Sequence, residues 1–124
     1  MGLARILAID DEEGVRAFIG RALEPYYEVH FAADGQSGIQ QAKILKPDLI
    51  LLDLWMPGLT GLEVLAKLKA KEATSGIPVV VVSSRGESDA LIESQRAGAV
   101  DHVIKPFDLH ELRRVIQRQL TARG

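Results

Sequence analysis

Apolar positions along the chain fall into two alternating kinds of segment. Short, aliphatic-rich runs occur at residues 5–9, 28–32, 49–52, 79–82 and 100–104, and each reads as a strand. Three of the five are nearly unbroken aliphatics, the pattern of strands covered on both faces. Between the runs, apolar residues recur at helical spacing. Val15, Phe18, Ile19, Ala22 and Leu23 form one stripe, and Leu109, Leu112, Ile116 and Leu120 form another. Thr60 with Glu63, and Asp108 with Glu111, are spaced as capping boxes or close relatives that start helices after loops. Gly35, Gly58, Gly61, Gly86 and Gly98 punctuate the connections. Residues 88–98 carry the weakest stripe, as expected of a helix with little to bury. Five strands and five helices in strict alternation predict an α/β fold, a single parallel sheet with helices on both faces and right-handed crossovers.

Composition narrows the class. The chain has 124 residues, 47% hydrophobic and 26% charged, which suits one globular domain with a real core and argues against disorder or a solenoid. The expected organisation is one domain over 1–124, with a core from about 4 to 121 and no second domain. With no cysteine, disulfides and thiolate metal sites are excluded. No run is long enough to span a bilayer and no charged n-region opens the chain, so the expected location is cytoplasmic, with no membrane partner. A formal net charge of -2 and a pI near 5.9 argue against a nucleic-acid surface. The basic tail of Arg113, Arg114, Arg118 and Arg123 reads as a helix C-terminus. Nine of the seventeen acidic residues fall in the first 62 positions, densest at Asp10, Asp11, Glu12 and Glu13. A solvated helix start accounts for that run on charge alone.

In open α/β sheets, function gathers beyond the carboxyl ends of the strands. Strand one ends in Asp10 and Asp11, strand three in Asp53, strand four in Ser83 and Ser84, strand five in Lys105. Three converging carboxylates repel until a proton or a cation relieves them. An all-oxygen set suits a hard ion, and Mg²⁺ needs few carboxylates. Mg²⁺ also neutralises an arriving phosphoryl group, a lysine can hold another phosphoryl oxygen, and a carboxylate is a competent nucleophile toward phosphorus. The set reads as a phosphoryl acceptor.

Asp10-Asp11, the string from Asp48 through Asp53-Leu-Trp-Met-Pro57-Gly58, the string from Ile77-Pro78 through Ser83-Ser84, and Lys105-Pro106-Phe107 resemble the receiver domain of bacterial two-component response regulators. The resemblance covers residues 4 to about 121. It implies a flavodoxin-like (βα)5 fold with strand order 2-1-3-4-5, for which a receiver is a standard example. It also implies that Asp53 is the phosphoacceptor and that Asp10, Asp11, Asp53 and the backbone carbonyl of Trp55 hold Mg²⁺. By the same resemblance Ser83 turns its hydroxyl to the phosphoryl group, Lys105 contacts that group, and a cis peptide precedes Pro106. The implied partners are a histidine kinase or histidine phosphotransfer protein and a downstream output domain or protein. The signalling surface would be the helix from Ser88, the last strand and the helix from Asp108, and relatives that dimerise through the last helix and strand make a homodimer compatible.

Two positions depart from the family's pattern. His102 stands where the family usually has Tyr or Phe, a ring that moves with the strand-four hydroxyl; a titratable His there makes for a weaker or pH-sensitive switch, and a strand-end His with no switching role accounts for it equally. Trp55 and Arg85, two residues beyond Asp53 and Ser83, flank the path of an attacking water and predict a long-lived phosphoryl group, while a partly buried ring packed on its loop also accounts for Trp55. Other motifs fail: Arg114 stands where a zincin would place its second His after His110-Glu111, and Gly58-Leu-Thr-Gly61 and Gly35-Gln-Ser-Gly38 match no dinucleotide fingerprint and read as turns. Two other readings of function remain. An aspartyl-phosphate phosphatase or phosphotransferase would need a second acid where Trp55 stands, and a phosphorylation-independent binding domain would have no need of the full set of acids, hydroxyl and lysine.

Overall fold

In the computed structural model, which describes residues 2–84 and 86–123, the five strands form one parallel sheet. They are β1 (Arg5–Ile9), β2 (Glu28–Ala32), β3 (Leu49–Asp53), β4 (Val79–Ser84) and β5 (Asp101–Lys105), ordered β2-β1-β3-β4-β5 as expected. Successive residues of β1, β3 and β4 turn to opposite faces. Leu7, Ile9, Ile50, Leu52, Val79 and Val81 pack in one core with Val64, Leu65 and Leu68 of α3 (Gly61–Ala70) and with Ile39 and Ala42 of α2 (Gly35–Leu45). Ile6, Ala8, Leu49, Leu51 and Val80 pack in the other core with Ile19 and Leu23 of α1 (Glu13–Leu23) and Leu112 and Ile116 of α6 (Leu109–Arg123). Each fully buried Leu or Ile contributes about 1.5–3 kcal/mol, so the two-sided aliphatic runs are what make the central strands central.

The strict alternation of five and five is broken by one extra turn, α4 (Glu72–Ser75). Lys71 is extended and ends α3. The turn after it is then held by groups that carry no periodic signal: Thr74 Oγ1 donates to Leu68 O at 2.6 Å, and Lys69 Nζ donates to the carbonyls of Ser75 and Ile77 at 3.0 and 2.8 Å. α5 (Ser88–Arg96) bears out the weak stripe. Its one buried residue is Ser94, Ala90 and Leu91 pack partly on the α2/α3 core, and Ile92 is exposed.

Other expectations are corrected. Gly35 and Gly38 lie inside α2 and Gly61 opens α3, so these are packing residues and not turns. Gly58, Gly86 and Gly98 do sit in connections with positive φ. A Cβ at Gly61 would collide with the carbonyl oxygen of Asp53 and stand 2.5 Å from Leu54 Cα, both backbone atoms that cannot give way. The basic residues of α6 do not gather at its C-terminus. Arg113 reaches across to donate to Ala22 O at 2.8 Å and lies over the Tyr26 ring, while Arg118 pairs with Asp101. β5 starts at Asp101, which pairs with Val80, one residue later than expected, although Val100 N still donates to Val79 O. The capping residues act as expected: Thr60 and Glu63 form a full box, and Asp108 Oδ1 accepts from Glu111 N at 2.8 Å.

The Gly61 contact is testable. Gly61→Ala should cost about 2 kcal/mol by overpacking and lower the thermal midpoint by roughly 8 °C. Gly14→Ala, where a Cβ meets nothing within 4 Å, should leave the midpoint unchanged or raise it slightly. Differential scanning calorimetry of the two variants checks both.

Candidate functional site

The strand register brings the sequence-predicted acids together. Ile9 of β1 pairs with Leu52 of β3, so Asp10 and Asp53, each one residue on, emerge side by side at the carboxyl edge. Asp10 is fixed from three sides. Its N–H donates to Ala32 O at 3.0 Å, its carbonyl accepts from Arg16 Nη1 at 2.8 Å, and its Oδ1 accepts from Glu12 N at 2.9 Å. Asp53 Oδ1 accepts from Trp55 N at 3.3 Å. Asp10 is 2% exposed and Asp53 5%, and carboxylate oxygens of Asp10, Asp11, Glu12 and Asp53 lie within 4.8 Å of one another.

Among the described residues, Lys105, at the end of β5, is the cation that pairs with this cluster. Its Nζ lies 3.1 Å from Glu12 Oε1, 3.4 Å from Asp10 Oδ2 and 3.7 Å from Asp53 Oδ2. One ammonium cannot compensate so many acids. Burial, reinforced by the negative charge of Asp10 and only partly opposed by Lys105, pushes the Asp53 carboxyl up to about 7. Burial likewise raises Asp10 against the pull of the Glu12 amide and Lys105. Burial alone would lower the Lys105 ammonium, but Asp53, Asp10 and Glu12 outweigh it and hold it above its ordinary value.

The donor set fits a hard divalent cation. It is all oxygen, it is over-supplied with negative charge, and Asp10 Oδ2 is buried with no hydrogen-bond donor. The carboxylates of Asp10, Asp11 and Asp53 could hold such an ion, with Glu12 beside them.

Around the acids stand the remaining expected residues. Ser83 is buried in β4, one residue past the position that pairs with Asp53. Lys105-Pro106 is a cis peptide, as the resemblance implied. A cleft of about 480 Å³ opens next to Lys105 and Ser84, walled by Val15 and Phe18 of α1 and by Phe107, whose ring meets Phe18 edge-on at 5.7 Å.

A family model for the response regulator receiver domain matches residues 6–117. The chain is a response regulator receiver domain. It is 36% identical over 117 residues to the regulatory protein AtoC of Escherichia coli, covering 94% of the chain and 25% of that protein. It is 33% identical over 117 residues to sporulation initiation phosphotransferase F of Bacillus subtilis, covering 94% of the chain and 93% of that protein. In three dimensions it resembles the chemotaxis protein CheY4 of Vibrio cholerae, with a TM-score of 0.88 at 28% identity over 94% of this chain and 98% of that one. The chain spans 47% of another relative, the phosphate regulon regulator PhoB of Pseudomonas aeruginosa, so receivers of this kind occur both nearly alone and as part of longer proteins. Receiver domains of two-component systems are signalling domains; phosphoryl acceptance, with Mg²⁺ at an acidic pocket, is typical of them.

Two residues of the receiver's site were not singled out by sequence. Glu12 joins the acid cluster and binds Lys105, and Arg16 clasps the Asp10 carbonyl. Both lie within six residues of Asp10, but which way they point depends on how α1 leaves β1. Trp55 is 61% exposed, so the reading of a partly buried ring is corrected. His102 is half-buried and lies inside β5, paired with Val81, not exposed at a strand end. Arg85 lies outside the described residues. Among the described residues, no helix is long and apolar enough to cross a membrane.

An acid whose folded-state pKa lies above its unfolded value holds its proton better when folded. Its contribution to stability is therefore largest below about pH 4 and is lost as pH rises through about 7. Without metal, Asp53→Asn should be stabilised over wild type by an amount that grows by about 2–3 kcal/mol between pH 5 and pH 8. Saturating Mg²⁺ should erase most of that difference. Thermal melts of both proteins across this pH range, with and without Mg²⁺, measure it; a difference that stays flat with pH would contradict it.

Proposed function

We propose that this receiver takes a phosphoryl group on Asp53 from a phosphohistidine on a histidine kinase or histidine phosphotransfer protein. The observation that carries the reading is Asp53 itself: a buried carboxylate at a strand end, within reach of three other acids and a lysine, at the mouth of an open crevice. Trp55 N–H holds Oδ1, leaving Oδ2, on the Lys105 side, to form the new O–P bond. The N–P bond of the donor breaks as it forms, and its electron pair returns to the imidazole. Lys105 then turns from Glu12 to a phosphoryl oxygen, and the Ser83 hydroxyl donates to another. Asp10, Asp11, Asp53 and the Trp55 carbonyl are the residues that would hold Mg²⁺. When bound, Mg²⁺ neutralises charge on the carboxylates and the incoming phosphoryl group. The apolar cleft beside Lys105 gives the donor a surface to rest on, close to the acceptor.

The acyl phosphate then biases a two-state equilibrium in α5, β5 and α6, with His102 on β5 moving with Ser83, and a downstream output domain or protein reads the change. On this reading the domain catalyses only its own phosphorylation and dephosphorylation. Trp55, exposed and two residues beyond the acceptor, slows the attacking water.

Incubation with Mg²⁺ and acetyl phosphate, followed by intact-mass measurement, should show the gain of one phosphoryl group in wild type and none in Asp53→Ala. Lys105→Ala should cut the extent at least about tenfold, the loss of a charge-assisted contact. No gain in wild type would favour a phosphorylation-independent binding domain. Once phosphorylated, Trp55→Ala should lose the group several-fold faster than wild type in a mass-resolved decay; an unchanged decay would remove Trp55 from the shielding role.

A further inference from the structure

The last rung between β3 and β4 is Leu54 N donating to Val82 O at 3.0 Å. The next donor along that edge of β4 is the N–H of Ser84, because donors facing one neighbour recur every second residue. It has no strand partner, since Leu54 O is already taken by Gly61 N at 2.9 Å as the chain turns into α3. Asp53 pairs with Val82, so the Ser84 N–H points into the crevice just beyond the acceptor carboxylate. This strand-end amide, on an exposed residue, donates instead to a side chain, Glu87 Oε1, at 3.1 Å. Glu87 lies immediately before α5. Its other oxygen, Oε2, is buried and has no hydrogen-bond partner. The carboxylate therefore makes one good contact at the cost of an unsatisfied buried oxygen, and an anion offering better-placed oxygens can displace it.

We propose that Glu87 is an internal competitor for the phosphoryl group, a positioning residue that occupies the Ser84 N–H in the resting protein and yields it when Asp53 carries an anion. The proposal rests on the reading of Asp53 as acceptor. It couples the acceptor to α5 directly: the phosphoryl oxygens take the amide, Glu87 is released to solvent, and the start of α5 loses the tether that joined it to β4. The tether is thus a barrier to phosphorylation as well as a lever for the helix.

The test is calorimetric titration of the Mg²⁺-saturated protein with trifluoroberyllate, a phosphoryl mimic, beside a separate Mg²⁺ titration and the rate of phosphorylation by acetyl phosphate. Glu87→Ala should bind trifluoroberyllate about three- to tenfold more tightly and phosphorylate faster by a similar factor, the effect of removing a charged competitor from one hydrogen bond. Its Mg²⁺ affinity should stay within roughly twofold of wild type, since Glu87 is not among the clustered acids. Glu87→Gln keeps an oxygen for Ser84 N–H and should recover less than half of that gain. Equal gains in Ala and Gln would mean that charge alone matters, and no gain in Ala would mean that the amide is not contested; either overturns the proposal. Wild-type protein that neither gains mass nor binds trifluoroberyllate would overturn the acceptor reading and this proposal with it, whereas wild-type phosphorylation without a Glu87 effect overturns this proposal alone.

Discussion

Everything at the carboxyl edge follows from negative charges held closer than they can be without help. The backbone of β1 and β3 puts Asp10 next to Asp53, and the aliphatic runs on both faces of those strands keep water from screening them. Lys105, contributed from the far edge strand, offsets part of the repulsion and is held above its ordinary pKa for doing so. The remainder is left as a raised Asp53 carboxyl and an Asp10 oxygen that has the Lys105 charge nearby but no hydrogen bond. The site is therefore under electrostatic tension that a proton, a divalent cation or a rearranged lysine can each relieve. A group so poised responds strongly to small changes in what surrounds it, which is what an acceptor that must be charged and discharged requires.

That tension is sustainable because the scaffold underneath cannot relax. Gly61 lets the first turn of α3 press against the backbone at Asp53, and Gly38 lets α2 close over Ile9, the residue before Asp10. Moving either carboxylate away from the other would mean shifting a strand between two packed layers, where a void or a clash costs several kcal/mol. Stability is supplied by the two cores, and function draws on it at one edge.

Much of this was legible in the chain before any coordinates. The strands announced themselves because β1, β3 and β4 are buried on both sides and so read as unbroken aliphatics, and Asp53, Ser83 and Lys105 stood at their ends. Elements that depend on single contacts were not legible. α4 has four residues and no room for a period; it exists because Thr74 and Lys69 satisfy particular carbonyls. Gly35, Gly38 and Gly61 look like turn formers in a string, and only the proximity of Leu59, Ile9 and the Asp53 backbone shows that they are there to have no side chain. Arg113 and Arg118 find partners 91 and 17 residues away, which no local pattern encodes. Glu12 was hidden in plain view, one acid among four consecutive ones, until the direction of α1 turned it toward Lys105.

α5 has a consequence for how such a domain can change over generations. Because it buries little besides Ser94 and leans on the core through Ala90 and Leu91 alone, its outward residues are almost free of structural duty. Substitutions there cost little folding energy, so the surface that meets a partner can drift and be reselected while the acidic pocket and both cores stay as they are. A loosely seated helix above a rigid sheet separates the part of the sequence that must be preserved from the part that can be rewritten for a new listener.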